Sequence, residues 1–459
     1  MMDRNALKRN LPIKVLLVAL ILAALQGCSM HTQPRNVILF IGDGMDDHQI
    51  TIARNYLKGA KGQLAIDRLP VRGAVQVLTV DENNPQQPVY VADSANSATA
   101  IATGVVTSRG RIATTANTDR DLRTIIELAE AEKLHTGIVT TAAITDATPA
   151  SFVAHVSNRG CQGPSTMVAA SRFGSSFKGC ENDLIGNGGA GSIAEQIAAS
   201  SVEIYLGGGS KFFASSVEEG KSVMEQAKNN GYQIIERAEE LNKSFTQDKV
   251  LGLFAEKEMP VRLMGENDRA AEFLEIVDNK AVEPQAFACV QNPQAVKVPS
   301  LKAMTETAIK HLNSKNDRGF FLMVESASID KQSHMRRPCG SIGELEQLDE
   351  AVQAALSFAA SNPNTLILVT ADHGQAAQLV PYPSLFQGRP KAHSIGHLAV
   401  IKTPEGSLMG INYATNDTIL EEHTGAQIPL LMNHKTSTQL NGVIRQPQLF
   451  TLMRDFLKL

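Results

Sequence analysis

The stretch Asn36-Val-Ile-Leu-Phe-Ile-Gly-Asp-Gly44 joins an unbroken apolar run to a short acidic turn. An apolar run without alternation is typical of a strand that is buried on both faces. Amphipathic segments such as Leu122–Lys133 and Leu301–Leu312 lie between further runs of this kind. Those other strand-like runs are Gly137–Thr140, Ile204–Leu206, Phe320–Val324 and Leu366–Thr370. Alternating strands and helices predict the α/β class, with a mostly parallel central sheet and helices on both faces.

The absence of repeats and of flexible linkers in the sequence indicates how the chain is divided into domains. No internal repeat and no linker rich in proline, glycine or serine divides it after residue 36. We therefore expect a single large catalytic domain over 36–459, preceded by a short linker over 28–35. Segments 208–300 and 376–415 are more polar and irregular, and we interpret them as insertions in that domain.

The first 27 residues have the composition of a signal peptide. A basic segment precedes the apolar run Val15–Leu25, which is too short to span a bilayer comfortably. The sequence Leu25-Gln26-Gly27-Cys28 then resembles the lipobox of bacterial lipoproteins, which predicts a lipid anchor on Cys28. The alternative is plain secretion with cleavage near Ser29 or Met30. Both interpretations predict export, to the periplasm. In the lipoprotein interpretation the protein contacts the membrane only through its N-terminal lipid.

Charge and cysteine content narrow the function further. The 459 residues carry a formal net charge of −4 and include no tryptophan, which excludes a typical nucleic-acid-binding surface. Besides Cys28 the chain has four cysteines, and an even number in an exported protein predicts disulfides with three possible connectivities. We take the sequence-local pairing as the working choice. The four residues are Cys161, Cys180, Cys289 and Cys339.

Acidic and imidazole side chains follow three of the strand-like runs. Asp43, Glu325 and the pair Asp372-His373 come at strand ends, and Asp330 with His334 follows shortly after Glu325. Singly, each could be a turn residue, a helix cap or a surface i, i+4 pair. Because ligand sites of open α/β sheets lie beyond the carboxyl ends of the strands, their recurrence there favours a zinc and magnesium site.

Ser94 is the candidate nucleophile. It follows Asp93 at the start of a segment of small, helix-compatible residues, so either residue could simply cap that helix. The functional interpretation places Ser94 at a helix N-terminus, where backbone N–H groups favour an anionic phosphoryl group. A serine hydroxyl needs a base or a metal ion to become nucleophilic near neutral pH.

At this point the chain resembles the bacterial alkaline phosphatases, from about Asn36 to around Gln427. Several motifs occur in the expected order, whereas the segment 212–288 carries little of the likeness. The matching stretches are Asn36–Met45, Asp93–Ala100, Thr145–Ala150, Val324–Lys331 with His334, Thr370–His373 and Glu422–Gly425. The resemblance implies hydrolysis of small phosphate monoesters through a phosphoserine intermediate, in a homodimer with two Zn²⁺ and one Mg²⁺ per chain.

The resemblance also implies a role for each site residue. Arg159 would grip the phosphate and Lys331 would contact it through water, which favours a dianionic monoester. The four cysteines fall at the family's disulfide positions, which supports the sequence-local pairing. The expected metal ligands are Asp330, His334 and His423 for the first zinc, Asp43, Asp372, His373 and ionised Ser94 for the second, and Asp43, Thr148 and Glu325 for magnesium, with the carboxylate of Asp146 behind it.

Three positions depart from the family pattern, namely Ser333, Asn96 and Gln375. At the last of these, some members have a further histidine. We expect none of them to touch a metal ligand. One alternative function is that of a phosphodiesterase or another hydrolase of the same superfamily. A second alternative is a lipoprotein that binds phosphate or metal without turnover, although Ser94 and Arg159 beside a complete ligand set argue against it.

Overall fold

The computed structural model describes one compact unit within residues 34–459. Within that range it leaves out residues 169, 173–174, 178, 216–219, 279, 315–316, 388, 390–392 and 435–441. The predicted signal peptide (1–27), the lipid site at Cys28 and most of the linker 28–35 lie outside the described residues. No helix of the described residues is long and apolar enough to cross a membrane.

A ten-stranded sheet forms the centre of the domain, and its strand order is β10-β2-β9-β8-β1-β7-β3-β4-β6-β5. The strands are β1 (Arg35–Gly42), β2 (Val71–Gln76), β3 (His135–Ala143), β4 (Ile204–Gly208), β5 (Tyr232–Ile235), β6 (Lys249–Leu253), β7 (Gly319–Ser326), β8 (Thr365–Ala371), β9 (Ile428–Met432) and β10 (Val443–Arg445). The seven strands from β8 through β1 to β5 are mutually parallel, whereas β9 is antiparallel to both of its neighbours. The predicted mostly parallel sheet is confirmed, and every strand-like run of the sequence lies in it.

The helices cover both faces of this sheet. Residues 37–42 of β1 are all buried, and successive side chains of a strand point to opposite faces, so both faces are shielded from water. The helices are α1 (Asp47–Lys58), α2 (Ser94–Thr103), α3 (Ile125–Ala131), α4 (Ala147–Ala150), α5 (Ile193–Ala199), α6 (Ser210–Phe213), α7 (Val223–Asn229), α8 (Leu301–Asn313), α9 (Ser328–His334), α10 (Pro338–Ser361) and α11 (Pro447–Leu457).

The segments interpreted as insertions have two different structures. Part of 208–300 extends the main sheet, because β5 and β6 pair in parallel beyond β4. The segment 376–415 instead supplies three strands of a second, four-stranded sheet, whose order is Glu272–Phe273, His397–Lys402, Leu408–Tyr413, Gln378–Val380. Short two-stranded ribbons complete the fold: Thr79–Val80 with Pro88–Val89, Ala170–Arg172 with Ser175–Phe177, Leu263–Gly265 with Cys289–Gln291, and Glu275–Val277 with Lys280–Val282.

Two disulfides join neighbouring parts of the chain. Cys161 is bonded to Cys180 and Cys289 to Cys339, so the sequence-local pairing is confirmed. The second bond links a strand of a surface ribbon to the first turn of α10. Stable disulfides are typical of proteins that fold in an oxidising compartment outside the cytoplasm.

Candidate active site

Three parallel strands bring carboxylates to one edge of the sheet. In the aligned register, Gly42 at the end of β1 lies beside the last residues of both β7 and β8. Asp43 and Asp372 directly follow β1 and β8, and Glu325 is the next-to-last residue of β7. All three side chains are buried. The edge expected from the sequence therefore exists, and it is shielded from water.

The turn after β1 allows an unusually close approach between chain segments. Gly44 has a φ of +68°, and a Cβ there would come within 3.1 Å of the Cβ of Asp330. Its backbone N–H donates to Asp372 Oδ1 at 3.0 Å. Glycine is required because it alone combines this left-handed conformation with room for the neighbouring carboxylate.

Asp330, His334 and His423 converge although they come from different segments. The Nε2 atoms of the two histidines are 3.0 Å apart. His334 Nε2 lies 3.3 Å from Asp330 Oδ2, and His423 Nε2 lies 3.4 Å from Asp330 Oδ1. These are the three residues expected to bind the first zinc, and the structure brings their ligand atoms together.

The other nitrogen of each histidine fixes the orientation of its ring. His423 Nδ1 lies 2.9 Å from the carbonyl oxygen of Ala92, and His334 Nδ1 contacts that of Glu421. A carbonyl oxygen only accepts hydrogen bonds, so each Nδ1 carries a proton and leaves Nε2 free as a ligand atom. Metal-binding histidines are commonly oriented by such a bond from the second nitrogen.

Asp43, Asp372 and His373 form a second cluster beside the first. His373 Nε2 lies 3.4 Å from Asp43 Oδ1 and 3.3 Å from Asp372 Oδ2. Both of these carboxylate oxygens are buried and have no hydrogen-bond partner among the described residues. Because an unpartnered buried carboxylate oxygen is costly, the donor set fits a bound cation. His373 also lies close to Asp330 and His423, so the two clusters adjoin.

The pKa values of these groups are shifted by burial and by the other charges of the site. Burial, followed by repulsion from Asp372, raises the pKa of Asp43 well above its ordinary value. Burial likewise raises the pKa of Glu325 to about 8. Burial opposes the charge on Asp330, but attraction by the two histidines holds its pKa well below the ordinary range. Asp330 in turn raises the pKa of His423 to about 9 against the effect of burial. The field that favours a proton on His423 also favours a metal cation.

Ser94 is the first residue of α2, and Asp93 is the cap. The carboxylate of Asp93 accepts from Asn96 N at 3.1 Å, and the Asn96 side chain accepts from Asp93 N at 2.9 Å. With the capping role filled by Asp93, the Ser94 hydroxyl points elsewhere, and its Oγ lies 3.2 Å from His373 Nε2. The serine is only 3% exposed. Its hydroxyl therefore lies beside the second cluster, as the nucleophile interpretation requires.

Arg159 and Lys331 are held at the site by shared carboxylates. Arg159 donates to Asp93 and to Asp146, each at 3.2 Å, and the Lys331 ammonium lies 2.5 Å from Asp146 Oδ2. The Nε of Arg159 is buried and has no hydrogen-bond partner in the part of the chain that the structure describes. The two carboxylates, with Asp93 the stronger, overcome burial and raise the pKa of Arg159, so the guanidinium stays charged. The Nε donor and the second N–H of each terminal nitrogen therefore remain for an anion.

The residues expected around magnesium are only partly brought together by direct contacts. Glu325 accepts a hydrogen bond from Thr140, a residue of β3 that the sequence analysis did not single out. Thr148 is buried in the short helix α4. Asp146 caps that helix through Ala147 N at 2.8 Å and binds Arg159 and Lys331. Among the described residues, neither Glu325 nor Asp146 belongs to a carboxylate–imidazole cluster.

Comparison with known proteins decides the family. The sequence model described as "Alkaline phosphatase" matches residues 34–428, which is most of the chain. The chain belongs to the alkaline phosphatase family. Members of the family hydrolyse phosphate monoesters, so this chain is a phosphoric monoester hydrolase.

Relatives of the chain support this membership in the alkaline phosphatase family. The chain is 41% identical to the alkaline phosphatase of Escherichia coli K12 over 446 residues, covering 95% of this chain and 89% of that protein. It is 39% identical to the streptomycin-6-phosphate phosphatase of Streptomyces griseus, with 91% and 89% covered. The alkaline phosphatase structure from the Antarctic bacterium TAB5 shares the fold, with a TM-score of 0.67, 24% identity, and 93% and 99% of the two chains covered.

One expectation about departures from the alkaline phosphatase pattern is wrong. Gln375 does touch an expected metal ligand, because its Nε2 donates to Asp330 Oδ1 at 2.6 Å. Its own oxygen accepts from Ala376 N at 2.7 Å, which fixes the orientation of the amide. The sequence shows only a glutamine two residues after His373, and nothing in that spacing shows a contact with a residue 45 positions away.

The other two departures lie farther from the ligand atoms. Ser333 Oγ accepts from Gln49 Nε2 at 2.6 Å and donates to Ile329 O at 2.8 Å inside α9. Asn96 completes the cap of α2, next to Ser94. Both residues therefore support the helices from which site residues project.

Proposed function

We propose that the enzyme hydrolyses phosphate monoesters through a covalent phosphoserine on Ser94, at a site with two zinc ions and one magnesium ion. One observation carries the proposal above all. The Ser94 hydroxyl lies 3.2 Å from His373 Nε2, next to the two buried carboxylate oxygens of Asp43 and Asp372 that have no hydrogen-bond partner. A serine in that position loses its proton readily once a cation satisfies those oxygens.

The donor sets support the choice of metals. The first cluster offers one carboxylate and two imidazoles, from Asp330, His334 and His423. The second offers two carboxylates and one imidazole, from Asp43, Asp372 and His373. Both sets of ligands suit zinc. Asp43, Thr148 and Glu325 offer only oxygen, with Asp146 behind them, which suits magnesium. Bound there, the ions supply Lewis-acid stabilisation of the entering and leaving oxygens.

The chain's own residues position and neutralise the phosphoryl group. The N-terminus of α2 directs its backbone N–H groups toward an anion bound at Ser94. Ser94 Oγ forms the new bond to phosphorus as the bond to the alcohol oxygen breaks, and water then cleaves the phosphoserine to release inorganic phosphate. Arg159 donates to two phosphate oxygens and Lys331 adds a second positive charge, which favours a dianionic monoester over a diester.

We also propose export to the periplasm, attachment to the membrane through a lipid on Cys28, and assembly as a homodimer. The two disulfides support an oxidising compartment. The mass of the purified N-terminal peptide tests signal-peptide cleavage and lipid attachment, since the proposal expects loss of residues 1–27 and a lipid on Cys28. Light scattering of the delipidated enzyme tests the dimer.

The central test compares Ser94→Ala with Ser97→Ala. Ser97 lies in the same helix, is fully buried, and its hydroxyl has no hydrogen-bond partner among the residues that the structure describes, so its removal leaves the site intact. We expect Ser94→Ala to lower kcat on an aryl phosphate monoester by about 10³-fold or more, with Ser97→Ala close to the wild type. Near-normal turnover by Ser94→Ala would exclude the covalent scheme.

Metal analysis completes the test. We expect purified enzyme to contain zinc and magnesium near 2:1, and chelation to abolish turnover until the metals are restored. A metal-free enzyme with undiminished activity would contradict the metal assignment. A higher rate on an aryl diester than on the monoester would instead favour a phosphodiesterase.

A further inference from the structure

An exposed loop carries His423 to the site. Residues 414–420 connect the second sheet to the segment that holds this histidine, and Ile419 in the loop is 90% exposed. A loop that buries so little apolar surface opens easily unless polar contacts hold it. The position of His423 therefore depends on what fixes the loop.

The guanidinium of Arg336 is surrounded by this loop. It donates from Nη1 to Ile419 O at 3.2 Å, and from Nη2 to Thr418 O at 2.7 Å and Asn416 O at 3.3 Å. Its Nε donates to Glu421 Oε1 at 2.7 Å. Arg336 is only 7% exposed, and its hydrogen bond to Glu421 is buried.

Glu421 connects the same loop to His334. Its backbone N–H donates to His334 O at 3.0 Å, and its carbonyl accepts from His334 Nδ1. The second oxygen of its side chain accepts from Thr415 N at 3.1 Å, which closes the loop on itself. Glu421 is 1% exposed. It precedes His423 by two residues, and Arg336 follows His334 by two, so the pair links both imidazoles.

We propose that Arg336 and Glu421, here called the loop clamp, are positioning residues that hold His334 and His423 at the mutual distance a metal ion requires. The inference rests on the proposed zinc site and adds to it the residues that set its geometry. Neither residue of the clamp contacts the reacting atoms. Their effect passes through Glu421 O to His334, and through the short connection from Glu421 to His423.

The geometry requires arginine. Four hydrogen bonds leave the planar guanidinium in different directions, whereas a lysine ammonium offers three donors from one point and cannot reach the same acceptors. Arg336 also has a φ of +56°, a conformation that a non-glycine residue adopts at some cost. Alanine at this position keeps that backbone cost and removes only the side chain.

The test uses two adjacent arginines. Arg336→Ala removes the clamp, whereas Arg337→Ala removes the same charge from a residue that pairs with the exposed Asp268 at 3.3 Å. We expect Arg336→Ala to weaken zinc binding, measured by chelator competition, by about 10-fold or more, within the range for lost outer-shell partners. Arg337→Ala stays within twofold of the wild type, and Arg336→Lys does not restore binding.

A second variant and a spectrum separate positioning from general destabilisation. Arg336→Ala leaves the Glu421 carboxylate buried without its cation, so the double variant Arg336→Met with Glu421→Gln removes both charges. We expect the double variant to show the same weakening and a changed cobalt absorption spectrum, since that spectrum reports ligand geometry. Wild-type zinc affinity in the folded double variant would overturn the clamp. A wild-type chain that binds no zinc would overturn the proposed function instead.

Discussion

At the scale of single residues, Arg159 shows how a site is prepared before its ligand arrives. Asp93 and Asp146 each accept a hydrogen bond from one of its terminal nitrogens at 3.2 Å. Its buried Nε has no hydrogen-bond partner among the described residues. Asp93 also caps α2, so one carboxylate orients both the arginine and the helix that begins with Ser94. The phosphate-binding group and the nucleophile are thus fixed relative to each other.

Arg159→Lys tests the value of that geometry. The lysine keeps the charge but loses the forked donors, so we expect kcat/KM for an aryl phosphate monoester to fall about 10-fold to 100-fold, the value of one or two charge-assisted hydrogen bonds. Steady-state kinetics provide the measurement. Arg262→Lys, at a pair with Glu350 on another part of the chain, is the control and should leave kcat/KM unchanged. An unaltered KM and kcat in Arg159→Lys would contradict the role given to the fork.

The sequence predicted the residues at strand ends because the carboxyl ends of parallel strands share one edge. That rule placed Asp43, Glu325 and Asp372 correctly relative to one another. The rule could not predict the hydrogen bond from Gln375 to Asp330, or the one from Arg336 to Glu421, which are 85 positions apart. Both contacts depend on how loops fold back onto the site. Such pairs become visible only when the three-dimensional arrangement is known.

At the scale of elements, the disulfides staple loops of different length. Cys161–Cys180 closes 19 residues and Cys289–Cys339 closes 50. In the chain-entropy description the longer loop gives the larger stabilisation, about 4 kcal/mol against about 3 kcal/mol. The second bond also fixes the first turn of α10, which packs against α9 and so supports Asp330 and His334.

Paired serine substitutions test this difference. We expect Cys289→Ser with Cys339→Ser to lower the free energy of unfolding by about 1 kcal/mol more than Cys161→Ser with Cys180→Ser. Denaturant unfolding of the two variants, with reduced wild type for reference, gives the values. The reverse order would show that local packing, rather than loop length, sets the contribution of each bond.

The sequence predicts the central strands of the sheet correctly, but it does not predict how far the sheet extends beyond them. The runs around β1, β3, β4, β7 and β8 are continuous and apolar, so each was recognisable as a strand. By contrast, Tyr232–Ile235 and Lys249–Leu253 are short and lie in a polar segment, for which the sequence predicts an insertion. They join the sheet because β4 offers an edge for parallel pairing, which the local sequence does not show.

At the scale of the whole molecule, one carboxyl group far from the site ties stability to pH. Burial of Glu130 raises its pKa to about 7, although Thr136 donates a hydrogen bond to it. The folded state therefore binds the proton more tightly than the unfolded state, for which the value is 4.5. Stability contributed by the protonated group is present below pH 4.5 and is lost as the pH rises through 7.

Glu130→Gln removes this dependence. We expect the variant to be more stable than the wild type at pH 9, by on the order of 1 to 3 kcal/mol, and equally stable near pH 4.5. Glu132→Gln, at an exposed position of the same segment, serves as the matched control. Thermal unfolding across this pH range gives the comparison, and a constant offset between variant and wild type would contradict the explanation.

The direction of β1 determines which end of the domain can be attached to a solid support without blocking the active site. The strand enters the sheet at Arg35 and reaches the catalytic edge at Gly42, so its two ends are separated by about 23 Å at the usual rise of a strand. Immobilising the domain through Pro34, on a bead or an electrode, would attach it at the end opposite Asp43. Substrate would then reach the catalytic edge from the side that faces the solution, and coupling at this end should preserve more turnover than coupling near residues 414–420.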